Sequence, residues 1–144
     1  MAERSYVAEN NASRARLSTL AARLNDADLA QPIGHGWTVS VALAHLAFWD
    51  HRNLATVEEW EHDGVQVTRV DPDPINDTML PQWLAMPPRQ ALSDALAAAE
   101  AVDHKVENLP AEMAAAILER RPRTIIRAIH RNEHLDEIER ALAR

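Results

Sequence analysis

The sequence contains no cysteine. That absence excludes disulfides, thiolate metal ligands and cysteine nucleophiles, and it leaves the redox compartment unread. Glycine occurs only three times and aromatic residues make up 4%, whereas alanine occurs 26 times. Alanine favours helix and glycine disfavours it, so the composition points to an all-α fold. No stretch approaches the roughly 18 apolar residues of a membrane-spanning helix. The opening MAERSYVAEN lacks an apolar core behind its charges and does not read as a signal peptide. Positive charge is also scarce: 15 Lys and Arg stand against 22 Asp and Glu, a net charge of −7. Sequence-independent nucleic-acid binding needs a positive face for the phosphates, so that function is disfavoured. These exclusions predict a cytoplasmic protein that engages neither membrane nor nucleic acid.

A chain of 144 residues with 47% apolar content suits one domain, residues 1–144, with a real core. Four long helical patterns run through it. The first covers about Ser5 to Leu29, with the stripe Tyr6, Asn10, Ser13, Leu17, Leu20, Leu24 at steps of three and four. QPIGHGWTVS breaks it, and Thr38 is a suitable N-cap for a second helix from about Val39 to His62. In VTRVDPDPINDT, Pro72 and Pro74 are expected to hold the backbone extended, ahead of a short helix from Asn76 to Ala85. A third long helix runs from about Pro88 to Leu109, and PAEMAAAILER adds a shorter piece. The fourth runs to about Ala143, with Pro122 in its first turn. Four amphipathic helices predict a four-helix bundle, and the link Gly64 to Met86 is long enough to be a crossover between helices 2 and 3.

The chemistry concentrates in IHRNEH. His130 and His134 lie four apart, on one face of a helix, and can offer both imidazoles to one ion. His45, inside the apolar run VALAHLAFWD, is the candidate third ligand, with Trp49 one turn on. Facing helices are the usual way a bundle builds a metal site. His35 lies in a glycine-flanked loop, and His51, His62 and His104 have polar neighbours, so they read as solvated. H-x-x-E-H is also the inverzincin signature, but those peptidases take a further ligand well downstream, and few residues follow His134. Glu133 points about 100° from His134 on a helix and is expected beside the pocket or on the surface. Arg120, Arg121, Arg123, Arg127 and Arg131 form either a solvated helix start or an anion clamp near the pocket mouth.

Two further expectations concern the pocket walls. The N-terminal half of the helix 1 stripe is polar, and Asn10 or Ser13 is expected to face the metal cavity. Trp37 lies eight residues before His45, about 12 Å along a helix, and is expected to plug the bundle end and not to touch substrate.

GHGWTVSVALAHLAFWD resembles the second-helix signature of the DinB-like (DinB/YfiT) superfamily, in which Gly-Trp-Thr or Ser is followed by His-Leu; here these are Gly36, Trp37, Thr38, His45 and Leu46. HRNEH is similar to the family's fourth-helix His-x-x-x-His. The resemblance implies a four-helix bundle with a divalent ion (Zn, Ni or Fe) on three histidines, and a homodimer. It also implies a thiol-dependent enzyme, with bacillithiol or mycothiol as the low-molecular-weight thiol. Maleylpyruvate isomerases of this kind add a second domain and use Glu-x-x-x-His, whereas position 130 here is His.

Three functions compete at this level. One is an enzyme, a thiol S-transferase or a hydrolase, in which the ion ionises a thiol or water that attacks a small electrophile. Another is a non-catalytic metal-containing ligand-binding or stress-resistance protein. The last is a metal-free interaction bundle.

Overall fold

The computed structural model describes residues 5–143, which form seven α-helices, a 3-10 turn and a two-stranded hairpin. Helix α1 spans Ser5–Arg23, and α2 is a separate single turn, Asp26–Leu29. The expected continuous helix to Leu29 is broken at Asn25. Its side chain accepts from the Asp28 N–H at 2.8 Å, while the Asp28 carboxylate accepts from the Asn25 N–H at 3.1 Å. That reciprocal pair starts a new helix. Strands β1 (Pro32–Gly34) and β2 (Trp37–Thr38) then pair antiparallel, a hairpin the sequence reading did not anticipate. Its turn passes through Gly34, His35 and Gly36 at φ of 108°, 43° and 82°. Glycine adopts such angles freely, which is why the chain can reverse here.

Helix α3 spans Val39–Asp63 and is capped as expected: Thr38 Oγ1 accepts from the Val41 N–H at 3.2 Å. Helix α4, Pro72–Ala85, starts earlier than the sequence reading placed it. Pro72 and Pro74 lie in its first turn, where an N–H has no intrahelical partner and its loss costs nothing. Helices α5 (Pro88–Glu107) and α6 (Ala111–Arg120) follow. Pro122 belongs to a 3-10 turn, Pro122–Thr124, and not to the last helix, α7, which begins at Arg127 and ends at Leu142.

Helix α3 packs on α5, α4 and α7, whereas α1 packs on α5 and α7. Two apolar groups fill the interior. One holds Leu17, Leu20, Val39, Leu43, Ala95, Leu135 and Ile138. The other holds Tyr6, Val57, Trp60, Val106, Ile117 and Ile125. Helices α1 and α7 run from the second group to the first, and α3 and α5 run the opposite way. The neighbours α3 and α5 are therefore parallel, and the segment between them must carry the chain back along their length.

Buried polar residues separate the two groups: Asn10 and Ser13 on α1, Asp50 on α3, and Arg127 and Arg131 on α7. Arg131 is 1% exposed and donates to Asp50 (3.2 Å), to both oxygens of Asp103 (3.0 and 3.1 Å), and to Ser13 Oγ (3.0 Å). Arg14 reaches the same Asp103 at 2.7 Å.

Asn10 solves a different problem. Ile126 gives the first turn of α7 no side-chain cap. Asn10 Oδ1 instead accepts from the Ala128 N–H at 2.9 Å, and Asn10 Nδ2 donates to the Ile125 carbonyl at 2.8 Å. The orphan donor at the helix start is satisfied from a different helix.

Candidate metal centre

His45 sits in the second turn of α3, 3% exposed, and His130 and His134 stand one turn apart on α7. Because α3 and α7 are packed neighbours, one nitrogen from each of the three rings falls within 4.8 Å of the other two. His45 Nε2 and His130 Nε2 are 2.9 Å apart. Trp37 lies over His45 at 4.7 Å between centroids, and Trp83 meets it edge-on at 5.2 Å. The group opens into a cavity of about 510 Å³, whose other walls include Trp49, Asn53, Val70, Pro72 and Asn76.

The surroundings keep all three rings neutral. Burial pushes the pKa of His45 down to about 3, assisted by the proximity of His134. Burial, and then the Arg127 guanidinium, hold His130 well below the ordinary histidine value. Burial also lowers His134, with Glu137 opposing it.

The hydrogen bonds fix the proton positions. Arg127 Nη2 lies 3.3 Å from His130 Nδ1 and can only donate, so that nitrogen accepts. The His130 proton is then on Nε2, directed at His45 Nε2. The proton of His45 is left on Nδ1, which is buried without a partner. An orphaned buried donor costs about 1–3 kcal/mol. His134 Nδ1 lies 2.6 Å from Glu137 Oε1.

These residues fit a divalent ion. The donors are neutral imidazoles, they converge, and the proton shared between two of them occupies the space a cation would take. Asp50 supports the arrangement. It accepts from Arg127 Nε at 2.9 Å, offsets that cation's charge, and so fixes the guanidinium that contacts His130. That contact suits the metal-free ring; with an ion on Nε2 the His130 proton would move to Nδ1, and Arg127 would have to turn away from it.

A pH dependence follows for the metal-free protein. Histidine in the unfolded chain titrates near 6.5, and the folded rings titrate lower. Below about pH 6.5 the unfolded state takes up protons that the folded state refuses, so stability is full above that pH and falls as pH drops toward 3. Each histidine contributes up to about 1.4 kcal/mol per pH unit. Urea midpoints measured with chelator from pH 7 to 4 should show this slope, and His45→Gln should flatten it.

Trp49 lines the cavity, as expected, and its indole N–H donates to Asn76 Oδ1 at 2.8 Å. The expectation for Trp37 is corrected. It precedes the helix and folds back through the hairpin, so its indole stacks on His134 at 5.9 Å and forms a cavity wall. The 12 Å estimate treated it as part of a straight helix. Asn10 and Ser13 are buried, but they are not among the residues lining the cavity; they serve Arg131 and the start of α7. Glu133 also stays outside: it is exposed and forms a forked pair with Arg123 at 3.1 and 3.2 Å. His51, His62 and His104 are exposed, as read from their neighbours.

Asp50 and Asn76 escaped the sequence reading, and Arg127, expected in a solvated helix start or an anion clamp, is instead buried against Asp50 and His130. Asp50 had a signal, being a carboxylate at the end of an apolar helical run. The signal against a solvated place for Arg127 was its position one turn before His130, on the same helix face.

No helix among the described residues is long and apolar enough to cross a membrane. The chain matches no protein-family model, no curated protein and no solved structure.

Proposed function

We propose that this chain is a metal-dependent enzyme of the DinB-like type, a four-helix bundle of α1, α3, α5 and α7. His45, His130 and His134 would hold one divalent ion, Zn, Ni or Fe. The reading rests on one observation: three neutral imidazoles converge at a cavity large enough for a small molecule. When bound, the ion supplies Lewis acidity that brings the pKa of water or a thiol toward neutrality. Imidazole donors accept all three metals, so the donor set alone does not choose among them.

The chain's own residues do the rest. Trp37, Trp49, Val70 and Pro72 exclude water from the walls. In the metal-free protein Asp50, through Arg127, holds the His130 ring in place. No Asp or Glu is among the lining residues, so a general base is not supplied by a carboxylate there. That favours a nucleophile ionised by the ion itself. A small thiol such as mycothiol or bacillithiol attacking an electrophile gives an S-transferase, and water gives a hydrolase. Assembly as a homodimer belongs to the same reading and is checked by sedimentation.

The test is a screen of metal-loaded protein against electrophiles, with and without a panel of thiols. Product that requires both ion and thiol supports the transferase, and product without thiol supports the hydrolase. Retention of a stoichiometric ion with no turnover in either arm would refute catalysis and leave a metal-containing binding protein.

A further inference from the structure

A chain of net charge −7 places four arginines, Arg120, Arg121, Arg123 and Arg127, on the wall of the histidine cavity, and no carboxylate among the lining residues. Two of the four are neutralised. All three nitrogens of Arg127 are engaged, by Asp50, the Arg123 carbonyl and His130. Arg123 forks onto Glu133. Arg120 and Arg121 differ. Among the described residues their hydrogen bonds go only to backbone carbonyls, of Val65 at 3.5 Å and Thr68 at 3.0 Å. A carbonyl satisfies one N–H but does not balance the charge, and a guanidinium carries five N–H donors.

The end of α6 accounts for part of this. Arg120 is its last residue and Arg121 follows, and a helix C-terminus favours cations. The dipole does not explain why the facing walls, built from Trp37, Trp49, Val70, Pro72 and the three histidines, contain no acid. Two unbalanced forked cations beside an apolar, aromatic space make a receptor for an anion with an apolar body.

We propose that the cavity selects a small organic anion. Its carboxylate or phosphate lies on Arg120 and Arg121, and its apolar body lies between Trp37, Trp49 and Pro72. The inference rests on the proposed function for which end of the ligand reacts, namely the end at the histidines. The preference for an anion does not depend on a metal. It therefore has to be measured without one, because a bound cation would attract anions by itself.

The experiment is calorimetric titration of chelator-treated protein with phenylacetate, phenyl phosphate and the neutral phenylacetamide. A charge-assisted hydrogen bond contributes about 1.5–3 kcal/mol, so an anion should bind at least about tenfold more tightly than the amide. The advantage should shrink as salt rises, since the arginines are not fully buried. Arg120→Gln with Arg121→Gln should remove most of the preference and leave the amide's affinity unchanged, and Arg89→Gln, outside the cavity, should alter neither. Tighter binding of the phosphate identifies a phosphorylated ligand class, and tighter binding of phenylacetate a carboxylate. Equal affinity of wild-type protein for anion and amide overturns the proposal, as does a preference that survives the double substitution. Should that variant unfold, the wild-type comparison and its salt series decide. Anion preference in a protein that takes up no ion on reloading would refute the metal reading alone, and stoichiometric metal without anion preference would refute this inference alone.

Discussion

His45→Ala and His134→Ala should each abolish stoichiometric retention of a divalent ion, while His104→Ala retains it. Each of the first two removes one of three converging nitrogens. Loss of an outer-shell partner alone costs roughly 10–100-fold in metal affinity, and loss of a ligand should cost more. His104 is exposed near the end of α5 and takes no part in the cavity. Equilibrium dialysis followed by elemental analysis measures the difference, on protein purified without an immobilised-metal column. Circular dichroism confirms that each variant is folded. Equal loss in all three variants would place the ion elsewhere, and an ion-free wild type after reloading would end the metal reading. Asp50→Asn has its own readout: it should change metal binding less than a ligand substitution does, because Arg127 would lose its anchor but all three histidines would remain.

Arg131→Met should be the most destabilising single substitution in the charged layer, by about 3 kcal/mol or more. The guanidinium is 1% exposed and lies between Asp50 and Asp103, which are 3% and 4% exposed. Removing it leaves two buried carboxylates with one remaining cation each, Arg127 for Asp50 and Arg14 for Asp103. The penalty should depend on pH in a stated direction. Burial already raises the pKa of Asp103, against the opposing pull of Arg131. Without Arg131 it rises further, so the folded variant binds a proton more readily than the unfolded chain does. Stability of the variant is then lost as pH increases, and the deficit should be larger at pH 8 than at pH 5. Urea denaturation at the two pH values checks this. Replacing Asp50, Asp103, Arg127 and Arg131 together by apolar residues should cost less than the single change, since no buried charge is left behind and Arg14, a third exposed, stays solvated.

Which parts of this molecule were legible in advance depended on the range of the interaction. Thr38, the spans of α3 and α5 and the convergence of the three histidines could be read because they rest on local caps and on period-3.6 patterns. The stripe containing Asn10 and Ser13 was correctly read as a distinct face of α1. Periodicity states that a face turns inward, but not which helix it meets. Helix α1 packs on α5 and α7, with α3 not among its main partners, so its polar residues met Arg131 and the start of α7 instead of His45. Pro72 and Trp37 failed for a related reason. Proline is compatible with either an extended segment or a helix start, and an indole before a helix can fold back over it. Tertiary contacts choose between the alternatives in both cases.

The cap that Asn10 gives to α7 also bears on the order of folding. Asn10 and Ala128 are separated by 118 residues, and His45 and His130 by 85. Contacts that distant are made only after the chain has met the entropy of closing a long loop. Neither histidine pair across α3 and α7 nor the start of α7 can be secured by local structure alone. The histidine cluster is therefore a late product of folding, assembled when α7 meets α1 and α3. Refolding followed by stopped-flow should show helix formation ahead of recovered metal affinity.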